Sequence, residues 1–208
     1  MLREKLLTAV IPLEAVPDSE RDWHPGSDGF VLNLVHPALY PIVYGRTMGK
    51  LTGSDTATIL LPPEIEGTGP KFVSKHFQFL PSDFSVDGDG KVTLISPYIN
   101  NIHPTYHKEL YSVIPYILQH ALPIFERVLS DLLRPLLPMR VTVPEDSHPG
   151  SPPILNCRQR CNGDLGVANN RISLRGRTLQ VIVRLANIVL TPERPKYPGG
   201  KWHVEGLS

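Results

Sequence analysis

Near its carboxyl end the sequence carries the triplet His203-Val204-Glu205, whose residue types and spacing suit metal binding. In an extended strand, residues two apart project from the same face, so the His203 imidazole and the Glu205 carboxylate can reach one ion. They are two of the three ligands in the facial triad that holds non-haem Fe(II) and leaves positions open for other ligands. The alternative is an ordinary strand that buries Trp202 and Val204 and leaves the two polar side chains in water.

A second candidate metal site lies in the middle of the chain, where His103 and His107 are four residues apart and Glu109 follows. On a helix, this spacing places both imidazoles on one face. The H-E-x-x-H pattern of helical zinc sites is absent, however. We therefore expect these histidines to cap the start of a helix or to pair with backbone groups.

The two cysteines, Cys157 and Cys161, lie close together and near His148. A structural zinc site usually takes four ligands from two closely spaced pairs, and the sequence offers a single pair. The prediction is therefore two reduced thiols in a reducing compartment, with neither a disulfide framework nor a zinc ion.

Four of the eight histidines directly precede a proline. Proline pushes the preceding residue out of the helical region, so this pattern indicates turns rather than ligands. The sequence contains neither the G-x-S-x-G elbow of a serine nucleophile nor a phosphate-binding glycine loop. The four histidines are His24, His36, His103 and His148.

The overall composition limits the classes of function. The 208 residues carry 21 basic and 20 acidic side chains without long runs of one sign, so neither nucleic acid nor an acidic membrane surface is an expected partner. No run is long enough to span a membrane, and Pro12 and Glu14 interrupt the first apolar stretch, which argues against a signal peptide. We expect an intracellular, cytoplasmic protein. The 22 prolines, more than twice the usual ~5%, favour short strands and broken helices.

The first part of the chain, residues 1–70, is predicted to be rich in loops after one amphipathic helix. Turn-forming residues fill 16–30 and 52–70. The apolar stretch between them is cut by prolines and fits either short strands or short helices. The inward face of the helix is expected to contain Leu2, Leu6, Leu7 and Val10.

From residue 71 onward the pattern becomes rich in strand formers. Two such runs flank the sequence DGDG at residues 87–90, and Asp-Gly pairs supply the positive φ angles of tight hairpin turns. In the second run Val92 and Leu94 alternate with polar residues. One face of this strand is therefore expected to be buried.

Two amphipathic helical segments are predicted after a turn at residues 100–104. The first has apolar residues at positions i, i+3, i+4, i+7 and i+8 and is kinked or restarted at Pro115. The second ends near Pro135, and both are expected to pack on a sheet. The apolar residues are Leu110, Val113, Ile114, Ile117 and Leu118 in the first segment and Phe125, Val128, Leu129, Leu132 and Leu133 in the second.

The stretch 178–190 is predicted to be one long strand, apolar on both faces and therefore interior to the fold. Prolines stop it within residues 191–196. Pro198 and Gly199 then fit the two central positions of a type II turn, and a further strand is expected over 201–205. A connection is expected at 143–153.

Six blocks of the sequence resemble, in order, the signature blocks of one family. The family is the largely fungal domain of unknown function 4246, which resembles Fe(II)- and 2-oxoglutarate-dependent oxygenases. The resemblance implies Fe(II) and 2-oxoglutarate as cofactors of the intact domain and His203 and Glu205 as its first two iron ligands. The blocks are DWHPGS (22–27), LVHPALYPIVYGRT (34–47), KFVSKHFQFLPSDF (71–84), SPYINNIHPTYHKELY (96–111), VIVRLANIVLTPERP (181–195) and YPGGKWHVEGL (197–207).

The resemblance also implies an α+β fold in which a partial double-stranded β-helix, a jelly-roll or cupin-like sheet, packs against helices in one domain over 1–208. Only three residues follow Glu205, so the distal histidine and the basic residue that binds 2-oxoglutarate in related oxygenases are expected to be missing. The sequence thus predicts a C-terminally truncated domain, inactive alone on a small-molecule or other substrate, with exposed strand edges open to self-association. The alternative is a non-catalytic β-rich binding or scaffold module.

Overall fold

In the computed structural model, an α+β fold is described over residues 1–50, 53–64, 74–131, 133 and 171–200. This part of the chain contains two α-helices, α1 (Leu2–Glu14) and α2 (Lys108–Asp131), and ten short strands. The strands are β1 (Asp22–Trp23), β2 (Val31–Val35), β3 (Ile42–Val43), β4 (Met48–Lys50), β5 (Ala57–Ile59), β6 (Phe77–Gln78), β7 (Ser82–Val86), β8 (Val92–Leu94), β9 (Thr178–Val181) and β10 (Leu185–Ile188).

The described strands form four small antiparallel sheets. Two sheets have three strands, in the orders β1-β2-β10 and β8-β7-β9, and two have two strands, β3-β6 and β4-β5. The stretch 52–70, which was predicted to be rich in loops, contains the short strand β5. The apolar stretch after residue 30 divides into β2, a 3-10 turn at Pro37–Leu39 and β3, since its prolines interrupt regular structure.

Helix α1 is confirmed, and it packs on α2 and β2. Ala9 and Val10 are buried, and Leu6 and Leu13 are partly buried against the same core. These residues are three and four positions apart, as one helical face requires. The prediction that Leu7 faces inward is wrong, because Leu7 is 48% exposed beside this face.

The predicted hairpin is also confirmed, with β7 paired to β8 around residues 87–90. Asp87 closes the turn, since its Oδ1 accepts backbone N–H bonds from the residues two and four positions later, at 2.9 and 2.8 Å. Gly90 has φ +87°, a left-handed angle that costs other residues about 1–2 kcal/mol. Val92 is buried in the core, as its alternation with polar residues predicted.

Helix α2 is continuous where the sequence predicted two segments. Pro115 and Pro123 lie inside it, although each proline removes one backbone hydrogen bond. Burial against β8 and α1 offsets this loss, because most of a protein helix's stability comes from packing of its apolar face. The buried apolar residues along α2 are Leu110, Val113, Ile114, Leu118 and Leu122.

The C-terminal half of α2 departs from its predicted apolar stripe. Phe125, Val128 and Leu133 were expected to pack on a sheet but are 47%, 55% and 53% exposed. Polar contacts hold this half instead: the buried Ser130 Oγ accepts the backbone N–H bonds of Arg171 and Ile172, both at 3.0 Å. The predicted stripes are therefore wrong at these three positions and at Ile117, which is 37% exposed.

The long interior strand predicted over 178–190 is wrong in two respects. The stretch forms two strands, β9 and β10, because the chain leaves one three-stranded sheet at 182–184 and joins the other. Each strand lies at an edge of its sheet among the described strands, and only its inner face packs on the core. Ile182 and Ile188 point away from the core and are 46% and 57% exposed.

After β10, Gly199 has φ +94°, the angle that the third position of the predicted type II turn requires. Neither helix in the described ranges is long and apolar enough to cross a membrane.

Candidate functional site

Strands β1 and β2 bring polar side chains together on the first sheet. Asp22 of β1 and Asn33 of β2 are directly opposite each other in the antiparallel register. Asn33 is buried, and its Nδ2 donates a 3.1 Å hydrogen bond to Asp22 Oδ2. Because a buried amide without a partner costs about 1–3 kcal/mol, this contact fixes both side chains.

The same carboxylate oxygen holds His36, the residue that directly follows β2. His36 Nδ1 lies 2.9 Å from Asp22 Oδ2. An ionised carboxylate can only accept hydrogen bonds, so Nδ1 carries the proton and Nε2 of the neutral ring has a free lone pair. The imidazole is 24% exposed, which places this Asp–His pair (Asp22 and His36) near the protein surface.

Arg184, between β9 and β10, extends the same network. Its Nη2 lies 3.2 Å from His24 Nδ1 and 3.5 Å from Asn33 Oδ1. A guanidinium can only donate hydrogen bonds. The atom of Asn33 that it contacts is therefore the amide oxygen, and His24 Nδ1 is an acceptor. The resulting row of hydrogen bonds runs through His24, Arg184, Asn33, Asp22 and His36.

Two consecutive asparagines hold the loop after β2 from another part of the chain. The buried Asn100 donates through Nδ2 to the carbonyls of Pro37 and Tyr40, each at 3.2 Å. Asn101 Nδ2 donates to the His36 carbonyl at 3.4 Å, from a left-handed backbone with φ +60°. The ring and the backbone of His36 are therefore both fixed by hydrogen bonds.

The turn before α2 contains the two histidines of the second candidate site. His103 Nδ1 accepts backbone N–H bonds from Thr105 and Tyr106 at 3.2 and 3.3 Å, and its ring stacks on Tyr106 with centroids 4.3 Å apart. No described residue is a hydrogen-bond partner of the buried His107 Nδ1, and burial, followed by the nearby His103, lowers the pKa of His107. The expectation that these histidines cap backbone groups is confirmed for His103.

The predicted iron ligands His203 and Glu205 lie outside the described residues, as do Cys157, Cys161 and His148. Within the part of the chain that the structure describes, no three His, Cys, Asp or Glu side chains are arranged to hold a metal ion. The described residues thus supply no iron site of their own. Also outside them are Leu132, the connection at 143–153 and the strand expected at 201–205.

The Asp–His pair could not be read from spacing along the chain. Its members are 14 residues apart and meet only through the register of β1 and β2. The extended backbone of His36, with φ −119° and ψ 109°, agrees with the prediction from the following proline, but that prediction concerned the backbone alone. The useful signal was Asn33, a polar residue in the middle of an otherwise apolar strand.

Two half-open grooves lie between α1 and α2, of about 390 and 320 Å³. Both include Ser112, and the larger includes His120. His120 Nδ1 donates to the Tyr116 carbonyl at 2.7 Å, an ordinary contact within a helix. Neither groove contains a residue of the Asp–His pair. We take the row of hydrogen bonds on the first sheet as the candidate site, because it joins several polar side chains.

Comparison with known proteins supports the resemblance of the sequence to one family. No curated protein and no solved structure gives a significant match. The model of one family, described as "Protein of unknown function (DUF4246)", matches residues 1–208. The chain therefore belongs to the DUF4246 family.

Proposed function

We propose that this family consists of Fe(II)- and 2-oxoglutarate-dependent oxygenases and that His203 and Glu205 are two of the iron ligands in this chain. The observation that carries the proposal is the H-x-E triplet in the block WHVEG, whose spacing would place one nitrogen and one carboxylate donor on the same face of an extended strand. Bound iron would supply the oxygen chemistry that protein side chains lack.

The proposal includes a jelly-roll fold around the metal. Its support is that the described sheets are antiparallel, that β8 packs on α2, and that β10 and then Gly199, with its left-handed φ, precede the H-x-E segment along the chain. The segment also follows an anchored residue. Tyr197 contacts Phe30 with ring centroids 5.7 Å apart, and the Arg194 guanidinium lies 3.8 Å from the Phe30 ring centroid. The protein's share of catalysis would be ligand geometry and a dry cavity.

Succinate formation from 2-oxoglutarate tests the proposal. A full-length family member, supplied with Fe(II) and O2, is compared with variants that have alanine at the positions of His203 and Glu205. Both variants are expected to lose succinate formation, whereas alanine at the position of His120 should leave it unchanged. Equal succinate from the parent and the His203 variant would contradict the proposal.

A second candidate function is a non-catalytic scaffold module that associates with another copy of itself. The observation that favours it is that β9 and β10 lie at sheet edges among the described strands and that Ile182 and Ile188 are exposed, because apolar edge strands are templates for pairing. Sedimentation across a range of protein concentrations should then show a dimer that Ile188→Lys weakens. A monomer at every concentration would exclude this function.

A further inference from the structure

The Asp–His pair ends in an atom for which no described residue is a hydrogen-bond partner. His36 donates through Nδ1 to Asp22, and no described group bonds to its Nε2. We propose that His36 Nε2 is the hydrogen-bond and proton acceptor of a binding site for an alcohol or a phenol. The residues of this site do not include the proposed iron ligands His203 and Glu205.

The protonation of the ring follows from the partners of each group along the row. Arg184 only donates, so the atom that it contacts on Asn33 is the amide oxygen, and Asn33 presents Nδ2 to Asp22. Asp22 only accepts, so the His36 proton lies on Nδ1. Nε2 is therefore an acceptor whenever the imidazole is neutral, and the His36 side chain is partly open to solvent.

The site is also rigid before any ligand arrives. Asn101 holds the His36 carbonyl from a backbone angle of φ +60°, and Asn100 holds the carbonyls of Pro37 and Tyr40. A non-glycine residue in this region costs about 1–3 kcal/mol and persists only where the surroundings impose it. Because the acceptor is already in place, a ligand would bind without the cost of ordering it.

The charges around His36 select a neutral ligand with a hydroxyl group. The Nε2 lone pair requires a donor, the Asp22 carboxylate disfavours an anion, and the Arg184 guanidinium in the same row disfavours a protonated amine. In the loop after His36, Leu39 and Tyr40 are 53% and 62% exposed. A phenol combines an apolar skeleton, which can contact such side chains, with a good O–H donor.

The test uses 4-fluorophenol as the probe, titrated into the full chain and followed by 19F NMR, with a chelator present so that iron plays no part. His36→Phe removes the acceptor. His36→Asn also removes the acceptor but keeps the donor to Asp22, because the amide nitrogen takes the place of Nδ1. His120→Phe is the matched control, because His120 also donates through Nδ1 but lacks a carboxylate partner and the asparagine contacts.

We expect saturable binding to the parent and to His120→Phe, and at least about tenfold weaker binding to His36→Phe and His36→Asn, since one hydrogen bond of about 1.4 kcal/mol is lost. Long-range 1H–15N spectra should show His36 protonated at Nδ1 in the parent. Equal affinity in the parent and His36→Asn, a lack of saturable binding, or a parent ring protonated at Nε2 would overturn the proposal. If His36→Phe fails to fold, His36→Asn, which keeps the contact with Asp22, still decides.

Discussion

Asp22 Oδ2 lies 2.9 Å from His36 Nδ1 and joins β1 to the loop that follows β2. The same oxygen also accepts the amide of Asn33, so one carboxylate satisfies two donors from a neighbouring strand and its loop. The hydrogen bond to Asn33 supports the register of β1 and β2, and the hydrogen bond to His36 fixes the orientation of the imidazole.

Removal of this carboxylate should destabilise the fold. Asp22→Ala leaves the buried amide of Asn33 and Nδ1 of His36 without their acceptor, so the free energy of unfolding is expected to fall by about 1–3 kcal/mol. Urea denaturation measures the change. Asp18→Ala is the control, because Asp18 is 90% exposed in its ion pair with Arg21 and should change stability by less than about 1 kcal/mol. Equal losses in the two variants would contradict this account of Asp22.

The hydrogen bonds from the backbone of Arg171 and Ile172 to Ser130 should stabilise this part of the chain locally. Ser130→Ala leaves the N–H groups of Arg171 and Ile172 without an acceptor, and the expected cost is about 1–3 kcal/mol. Hydrogen exchange of these two amides should accelerate. Ser112→Ala is the control, since the exposed Ser112 hydroxyl donates only to the Glu109 carbonyl within α2. Unchanged exchange in Ser130→Ala would show that the contact does not hold this segment.

The hairpin offers a matched pair of glycine substitutions. Gly90 has φ +87°, so Gly90→Ala should lower the free energy of unfolding by about 1–2 kcal/mol through backbone strain. Gly88 lacks a left-handed φ, and an added methyl group would meet no atom within 4 Å, so Gly88→Ala should be close to neutral. Thermal denaturation of both variants checks the difference. The opposite order of stabilities would refute the assigned turn geometry.

The stability of the turn before α2 should depend on pH through His107. Burial, and then His103, lowers the pKa of His107 below its usual 6.5, so the unfolded chain binds a proton at pH values where the folded chain does not. This contribution is complete above pH 6.5, declines as the pH falls and is lost below the lowered folded-state pKa. Denaturation at pH 7.5 and 5.5 should therefore show a smaller difference for His107→Leu than for the parent, and an equal difference would contradict this role of His107.

Local patterns were sufficient for some elements of this fold. The DGDG turn and the strand that carries Val92 depend on neighbouring residues, and both are confirmed. The amphipathic pattern also predicted α1, although Leu7, which was expected on the inward face, is exposed. Such features require only backbone preferences and the burial of one face.

Other features depend on contacts between distant parts of the chain. Pro115 and Pro123 predict breaks by their local chemistry, but packing along α2 outweighs the lost hydrogen bonds. The stretch around Ile182 has strand composition throughout, yet its division between two sheets is set by partners more than 90 residues earlier, β7 and β2. The Asp–His pair likewise required the register of β1 and β2.

The proposed iron site is tested most directly by titration of residues 1–208 with Co(II), followed by absorption spectroscopy. We expect one equivalent of Co(II) to bind weakly, as two protein ligands allow, and His203→Ala and Glu205→Ala to abolish this binding while His120→Ala leaves it intact. Binding that survives both substitutions, or a parent chain without specific binding, would contradict the proposal.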